Sequence, residues 1–432
     1  MLPAGDSCLR QGRGSHRNSQ KAKDNHPVIY LDHAATSPPG GDALQAYTTE
    51  LAHLAAQPGN SAALHAGGRA ARGRLETARA QLARLLGAAR RAVLFVSGAT
   101  EGNLLAVAGR VAHWRAAGQP TIALCLTTDH PSLRGAVRAL PGAHGLIEVE
   151  RAGQPRAGWT QAVAAAAWRA LGNDGPPPSL PELTSRFRLV VGFATVNNET
   201  GAYLDPAAAV AALRQAGVDW IHVDAAQAIG SQPVDCEATG IDSLTFSGHK
   251  LGTPPGCGAL VTRRDALAPV YPGAGQEFGL RSGTVDVASA RALSAAVAQA
   301  LRDQAVNVAH WQQLAARLRQ AATAEGWRPT LASSAPSSPH IVSLIIPGAP
   351  SEALLTALDM AGVAVSAGSA CQAGVVGPSE VLLAMGHADA DARCVVRVSF
   401  GPHSTAAEVE TLITKLRAAA PAAARFGAGT RP

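Results

Sequence analysis

Short apolar runs, many of them β-branched, alternate along this chain with longer stretches rich in Ala, Leu and Arg. The runs include AVLFVS (92–97), TIALCL (121–126), RLVVGFA (188–194), WIHVD (220–224), DSLTFS (242–247) and GALVT (258–262). Nearly continuous apolar strands are typical of a parallel sheet that is buried on both faces. Between such runs, residues 74–87 place Leu75, Ala78, Leu82 and Leu86 on one helix face. The alternation therefore predicts an α/β fold with a mostly parallel sheet between helices.

The pattern changes after about residue 330. Residues 332–340 (ASSAPSSPH) predict a loop, and strands are predicted at 341–346 and 394–400. A final helix follows, and TAAE (405–408) at its start is a capping box, in which the first and last residues can bond each other's backbone amides. We predict a second, smaller α+β domain here. The proline-rich residues 172–183 predict a surface loop within the first domain.

The composition excludes several classes of protein. The chain has 432 residues, of which 47% are hydrophobic, so it can form two domains with sizeable cores. No apolar run reaches the roughly 18–20 residues that span a bilayer, so we expect a soluble protein without membrane contact. Half of the formal charge of +6 lies in residues 1–27. Because the rest of the charge is scattered and forms no basic stripe, we expect no nucleic-acid binding.

Residues 1–27 lack the apolar segment of a secretory signal, and we predict a disordered extension. The six cysteines are dispersed and include no CxxC pair. This spacing favours neither a zinc site nor a disulfide framework, and it indicates a reducing, cytoplasmic location.

Lysine is scarce, and this scarcity singles out one amine. Of 37 basic residues only Lys21, Lys23, Lys250 and Lys415 are lysines, and the first two lie in the N-terminal extension. Arginine stays protonated, so it is a poor nucleophile. Lys250 follows a predicted strand, and Asp224 ends the strand before it. By itself Asp224 could be a helix N-cap, but a lysine and an acid at neighbouring strand ends suit pyridoxal phosphate, which needs a Schiff-base amine and a partner for its ring nitrogen.

SGATEGN (97–103) lies between a predicted strand and a predicted helix. The backbone amides near Ala99 and the Thr100 hydroxyl could bind a phosphate there, although Ser/Thr capping is an equally ordinary explanation. A dinucleotide-binding fold is the competing interpretation. It fails because GAGQEFG (273–279) misses the GxGxxG pattern by one residue.

Cys371 lies in VAVSAGSACQAG (363–374), among small residues that cannot pack tightly around a thiol. We interpret Cys125, Cys236, Cys257 and Cys394 as buried small hydrophobic residues. An exposed thiol in a reducing compartment is instead a candidate nucleophile, which is how we interpret Cys371.

Ten segments together resemble the cysteine desulfurase family, pyridoxal-phosphate enzymes of the class-V aminotransferase group. They occur in the family's order and cover roughly residues 28–420. They are YLDHAATSPP (30–39), GNSAALHAGGRAAR (59–72), SGATEGN, DHPSL (129–133), VNNETG (196–201), HVDAAQ (222–227), SGHK (247–250), GAGQEFGLRSGT (273–284), SAGSAC (366–371) and RVSFG (397–401).

The resemblance implies a role for each matching residue. Lys250 would hold the cofactor and later move the Cα proton, and Cys371 would attack the sulfur of L-cysteine. His130 would stack on the cofactor ring and assist proton transfer, and Arg397 would bind the substrate carboxylate together with Asn198. The residues implied in cofactor contact are Ala99, Thr100, His130, Asn198, Asp224, Gln227, Ser247, His249, Lys250 and Thr284. The products would be L-alanine and a persulfide, which passes to a sulfur-acceptor protein.

The resemblance also implies a homodimer with a fold-type-I architecture, in which Thr284 reaches the partner's phosphate site. The predicted units are a disordered extension (1–27), a segment packing with the small domain (28–40), a large cofactor-binding domain (41–297) and a small domain that carries the cysteine loop (298–432).

The chain departs from the family's pattern at several positions. His33 stands where asparagine is common, Pro402 and His403 follow Gly401 where arginine is common, and residues 150–187 show little resemblance. The cysteine loop is slightly short and uncharged. These differences concern the acceptor protein rather than the reaction class.

Three alternatives remain open at this point. The chain could be a selenocysteine lyase, which would share fold and cofactor. It could be another class-V enzyme, an aminotransferase or epimerase in which Cys371 is incidental. It could also be a catalytically silent scaffold for sulfur-transfer partners, although the retained Lys250, Asp224 and Cys371 argue against this.

Overall fold

A computed structural model describes residues 28–88, 93–368 and 377–429. Its strands are β1 Ile29–Tyr30, β2 Val93–Val96, β3 Thr121–Leu126, β4 Ala143–Ile147, β5 Arg188–Ala194, β6 Trp220–Asp224, β7 Ser243–Ser247, β8 Gly258–Thr262, β9 Arg328–Pro329, β10 Ile341–Ile345, β11 Val363–Ala364 and β12 Val395–Ser399. Its α-helices are α1 Gly41–Ala56, α2 Ala66–Leu85, α3 Ala99–Ala116, α4 Pro131–Arg138, α5 Trp159–Ala170, α6 Leu180–Thr184, α7 Pro206–Gln215, α8 Cys236–Thr239, α9 Val287–Arg302, α10 Gln304–Ala324, α11 Ser351–Met360, α12 Glu380–Ala384, α13 Asp389–Ala392 and α14 Ala406–Gly429. The predicted extension 1–27 and the predicted nucleophile Cys371 lie outside the described residues.

The large sheet has seven strands in the order β2-β8-β7-β6-β5-β3-β4. The five strands β7, β6, β5, β3 and β4 run parallel to one another, and β8 runs antiparallel to both β7 and β2. Helices cover both faces. The predicted α/β fold with a mostly parallel sheet is therefore confirmed.

Strand β3 explains why the apolar runs predicted this sheet. Ile122, Leu124 and Leu126 belong to one buried core, whereas Ala123 and Cys125 belong to another on the opposite face. Since both faces are covered, both sets of alternate residues must be apolar. The predicted strands 121–126, 188–194, 220–224 and 258–262 match β3, β5, β6 and β8 in their bounds.

Strand β4 and helix α6 are among the elements that differ from the prediction. Strand β4 has the sequence AHGLI, which lacks a β-branched run, and it was not predicted. The expected loop 172–183 overlaps the short helix α6, which begins after Ser179. Ser179 and Glu182 form a capping box there, and this local pairing outweighs the surrounding prolines.

A smaller antiparallel sheet has the order β12-β10-β9 and its own buried core. The N-terminal segment joins this part of the molecule, because β1 pairs in parallel with β11 and Leu31 packs in the same core. The domain boundaries stated above remain predictions. The capping box of α14 is confirmed, since the Thr405 amide donates to Glu408 at 2.7 Å and the Glu408 amide donates to Thr405 at 3.2 Å.

A buried ion pair fixes the loop that contains the predicted residue Thr284. Both terminal nitrogens of Arg79, on α2, donate to the Glu277 carboxylate at 2.7 and 2.8 Å, and the Phe95 amide donates to it at 2.7 Å. Glu277 and Phe278 have positive φ angles of 45° and 61°, a conformation that costs free energy in a non-glycine residue. The ion pair holds this strained turn against β2.

A helix that crosses a bilayer must be both long and apolar. Within residues 28–88, 93–368 and 377–429, no helix combines the two properties.

Candidate active site

Lys250 ends a short 3₁₀ helix, Gly248–Lys250, that follows directly from β7. Its amine donates hydrogen bonds to the carbonyl oxygens of Ala34 at 2.5 Å and Ala35 at 2.6 Å. Burial, together with the nearby positive charge of Arg397, lowers the pKa of Lys250 to about 8. The amine is thus far closer to its neutral, nucleophilic form than an ordinary lysine is.

Asp224 is the last residue of β6, the strand next to β7 in the large sheet. Its side chain is 3% exposed, and both carboxylate oxygens accept hydrogen bonds. The Asn103 amide nitrogen donates to Oδ2 at 2.8 Å, and the Ala226 backbone amide donates to Oδ1 at 3.0 Å. The carboxyl ends of these parallel strands therefore bring a carboxylate and an amine to the same edge of the sheet.

The first turn of α3 lies beside the end of β7. The Ala99 amide donates to Ser247 Oγ at 2.7 Å, and Thr100 is the next residue on the helix. A Cβ atom on Gly258 would lie 2.7 Å from the Cα of Gly98, so this close approach of backbones requires glycine. His249 completes the group, and burial lowers its pKa to about 4. These donors make a place for an anion at the helix N-terminus.

His130 caps the N-terminus of α4. Its Nδ1 accepts the backbone amide of Ser132 at 3.1 Å and lies 2.8 Å from the Ser132 hydroxyl oxygen. Burial lowers the pKa of His130, so the imidazole is neutral at physiological pH. A neutral ring suits stacking against an aromatic cofactor.

Arg397 extends from β12 and is 4% exposed. Its Nη2 donates to Asp32 Oδ1 at 2.6 Å and its Nη1 to the backbone carbonyl of Asn198 at 2.8 Å. The Nε atom is buried and has no hydrogen-bond partner among the described residues. The guanidinium therefore keeps its Nε donor for an anion.

The resemblance implies that Arg397 binds the carboxylate of cysteine. On that expectation, Arg397→Ala should raise the transition-state free energy measured by kcat/KM for cysteine by about 2–5 kcal/mol, because the substrate carboxylate and Asp32 would both lose a buried cation. Arg397→Lys retains the charge and loses the planar fork, so it should recover only part of the loss. Steady-state kinetics with cysteine checks both variants. Cysteamine, which lacks the carboxylate, should be turned over about equally poorly by wild type and mutant. Unchanged kinetics with cysteine in Arg397→Ala would remove this residue from the site.

These groups surround one cavity of ≈ 360 Å³. Ten of the twelve predicted site residues line it, namely Ala99, Thr100, His130, Asn198, Asp224, Gln227, Ser247, His249, Lys250 and Arg397. Thr284 is exposed and does not line the cavity of its own chain. Cys371 lies outside the described residues, although Ser366 and Gly368 shortly before it line the cavity.

Glu199 contacts the chain on both sides of residues 369–376. Gly368 has a φ of +82°, and a Cβ atom there would lie 2.6 Å from the Glu199 carboxylate. On the other side, the Ser379 hydroxyl donates to the same carboxylate at 2.6 Å. One acidic side chain thus fixes both flanks of the segment that includes Cys371.

A second cavity of ≈ 350 Å³ adjoins the first and shares Ala226, Gln227 and Lys250 with it. Its lining is mainly apolar, whereas the polar groups that can do chemistry converge on the first cavity. His33 and His403, two departures from the family pattern, line the second cavity. The His33 ring packs so closely on Gly401 that a Cβ there would lie 2.1 Å from it.

Sequence reasoning missed three residues that support the site. Asn103 holds Asp224, Asp32 holds Arg397, and His222 holds Asn103 through a hydrogen bond of 2.8 Å between Nε2 and Oδ1. All three lie inside segments that carried the resemblance. Their polarity within otherwise apolar or small-residue motifs was the available signal.

Comparisons with known proteins agree with this geometry. The sequence profile of the class-V aminotransferase family matches residues 29–150 and 178–412. An IscS-like cysteine desulfurase of Mycobacterium tuberculosis is 35% identical over 406 residues, which are 92% of this chain and 98% of the relative. A cysteine desulfurase of Frankia sp. is 35% identical over 393 residues, 89% of each chain.

In the solved structures, a NifS-like protein of Rickettsia africae has the same fold, with a TM-score of 0.75, 24% identity, and coverage of 90% of this chain and 99% of the other. The family profile omits residues 151–177, which lie within the segment of little resemblance. The chain therefore belongs to the class-V aminotransferase family, whose members are in general pyridoxal-phosphate enzymes, and within it to the cysteine desulfurases.

Proposed function

We propose that this enzyme binds pyridoxal phosphate through Lys250 and converts L-cysteine to L-alanine, with the sulfur transferred to Cys371 as a persulfide. One observation carries the proposal: an amine whose pKa is lowered to about 8, a buried carboxylate and a buried guanidinium all line a single cavity of ≈ 360 Å³. Ligand sites of this size hold molecules as large as a phosphorylated pyridine.

The residues present fit that cofactor. Asp224 offers a carboxylate for a protonated ring nitrogen, and Lys250 offers an amine for the aldehyde. Ala99, Thr100 and Ser247 offer amide and hydroxyl groups for the phosphate at the start of α3. When bound, pyridoxal phosphate supplies an electron sink for the bonds to the substrate Cα.

The chain's own groups then orient the substrate and handle its protons. Arg397 binds the carboxylate through its fork and its unpaired Nε. The Lys250 amine, once it is no longer needed to hold the cofactor, lies close enough to the same cavity to take the Cα proton. Asn198 and Gln227 line the wall beside them.

The state of the other thiols supports Cys371 as the nucleophile. Burial raises the pKa of Cys236 and Cys257 to about 12, and it also raises the pKa of Cys125 and Cys394. A thiol with a raised pKa is a poor nucleophile because it holds little thiolate. These four cysteines are unpaired, which supports a reducing, cytoplasmic location. Of the two remaining cysteines, Cys8 and Cys371, only Cys371 lies in a segment that carries the family resemblance.

A homodimer is part of the proposal. Thr284 is exposed, and Tyr271 and Phe278 in the same loop are 63% and 36% exposed. Arg281 fixes this loop to α3 through an ion pair of 2.8 Å with Glu101. A rigid loop with exposed aromatic side chains beside the phosphate end of the cavity suits a surface that completes the site of a second copy. A sulfur-acceptor protein would take the persulfide.

The assay that tests the function gives wild-type enzyme cysteine and pyridoxal phosphate, and it measures alanine over many turnovers with a reductant present and protein-bound persulfide in a parallel sample without the reductant. We expect both products to form without selenium. If the enzyme turns over only selenocysteine, and cysteine merely inhibits it, the activity is that of a selenocysteine lyase. Transamination of cysteine or alanine without sulfur release would instead make Cys371 incidental.

A further inference from the structure

A chain of buried polar side chains runs through the core of the large sheet and ends at the candidate site. Trp220, Ser243, His222 and Asn103 are each at most 1% exposed. The successive distances are 3.1 Å from Trp220 Nε1 to Ser243 Oγ, 2.9 Å from Ser243 Oγ to His222 Nδ1, and 2.8 Å from His222 Nε2 to Asn103 Oδ1. Buried polar groups in such numbers are retained only when all of them are satisfied.

The direction of these hydrogen bonds is fixed at both ends. The indole of Trp220 can only donate, so the Ser243 hydroxyl oxygen accepts from it and its own proton is available to His222 Nδ1. At the other end the Asp224 carboxylate can only accept, so the NH₂ group of Asn103 must face it. The Asn103 oxygen therefore faces His222, and His222 must carry its proton on Nε2.

The same amide group of Asn103 has a second proton, and that proton connects a second branch. Asn103 Nδ2 also donates to Ser132 Oγ at 3.0 Å. The Ser132 hydroxyl then directs its proton to His130 Nδ1, which already accepts the Ser132 backbone amide. Since Nδ1 accepts from both the backbone amide and the hydroxyl of Ser132, neutral His130 carries its proton on Nε2.

We propose that Asn103 is a positioning residue that holds two site groups at once. Through one N–H it orients the Asp224 carboxylate, and through the other it keeps the Ser132 hydroxyl turned toward His130. Glutamine is too long, and aspartate would oppose one carboxylate with another, so an asparagine is what this position requires. The consequence for chemistry rests on the proposed binding of pyridoxal phosphate, whereas the hydrogen-bond directions do not.

The directions are tested on apoprotein labelled with [¹⁵N]histidine, by long-range ¹H–¹⁵N NMR. Signals are assigned by comparison with His130→Gln and His222→Gln. We expect both histidines to be neutral with the proton on Nε2 in the wild type. In Asn103→Ala, His222 should lose this single tautomer. A proton on Nδ1 of wild-type His222, or an unchanged His222 signal in Asn103→Ala, overturns the proposal.

The effect on the site is tested by equilibrium binding of pyridoxal phosphate in a Lys250→Ala background, where attachment is non-covalent. Asn103→Ala should raise Kd by about 10-fold or more, as expected for a lost hydrogen bond to a charged group. Ser243→Ala, which leaves the Asn103–Asp224 bond in place, should change Kd less than about 3-fold.

Circular dichroism shows whether Asn103→Ala is folded. If it is not, the nearly isosteric variant Asn103→Asp is used in its place. Its Kd for pyridoxal phosphate should also rise about 10-fold, because its carboxylate would face that of Asp224. If the folded variant has a Kd within about 3-fold of that of the Lys250→Ala parent, the proposed positioning role is wrong. If neither the Lys250→Ala parent nor the wild type binds pyridoxal phosphate, the result counts against the proposed function and not against the hydrogen-bond directions.

Discussion

Lys250→Ala is expected to abolish covalent attachment of pyridoxal phosphate and all turnover of cysteine. Lys415, the other lysine among the described residues, is exposed on α14, and an arginine cannot form a Schiff base. The check is borohydride reduction followed by peptide mapping, in which the labelled wild-type peptide should contain Lys250. Lys415→Ala is the matched control and should be labelled like the wild type. Labelling of Lys250→Ala at the wild-type level would contradict the assignment.

The pH dependence of attachment gives a second readout. The neutral amine is the nucleophile, and the lowered pKa means that its neutral fraction grows with pH until about 8 and then levels off. Below that value, the attachment rate to apoprotein should rise about tenfold per pH unit. An ordinary lysine, with a pKa of about 10.4, would keep gaining rate for two further pH units. A profile that still climbs at pH 10 would show that the amine is not held as the structure describes.

Cys371→Ala is expected to keep the bound cofactor and to abolish both persulfide and alanine formation from cysteine. Selenium leaves carbon more readily than sulfur does, because the C–Se bond is weaker and a selenol is the stronger acid. Some activity on selenocysteine should therefore survive without the thiolate. Alanine release and persulfide labelling are measured with each substrate.

Cys8→Ala is the matched control for Cys371→Ala, since these two cysteines are the ones outside the described residues. The other four have raised pKa values. We expect Cys8→Ala to retain full activity with cysteine. Persulfide formation that survives in Cys371→Ala and disappears in Cys8→Ala would reassign the nucleophile.

The large sheet could be predicted from sequence because its strands are buried on both faces. A strand such as β5, RLVVGFA, can have this composition only where water is excluded from both sides. Strand β4 could not be predicted in this way because it lies at the edge of the sheet. Four of its five residues are only partly buried there, so they need not be apolar.

Lys250, Asp224, Ala99 and Thr100 could be predicted from the chemistry of their residue types at strand and helix ends, and the other residues that face the cavity could be predicted because their motifs resemble those of a known family. The residues that support them, Asp32, Asn103 and His222, could not be predicted. Asp32 contacts Arg397 across 365 residues of sequence, and Asn103 contacts Asp224 across 121. Such pairs follow from the placement of whole strands, and neither periodicity nor spacing along the chain encodes them. A single buried polar residue looks the same in sequence whether it caps a helix or orients a carboxylate.

The pairing of β1 with β11, described above as a packing feature, also sets the order in which the site can form during synthesis. Ribosomes add about 5–20 residues per second, and Asp32 is made 365 residues before Arg397, an interval of roughly 20–70 s. The carbonyls of Ala34 and Ala35 that receive the Lys250 amine belong to the same early segment, which gains its partner strand only after Ala364 has been made. The large sheet can therefore assemble on the ribosome around a lysine whose final position is set only after β11 and Arg397 have been made.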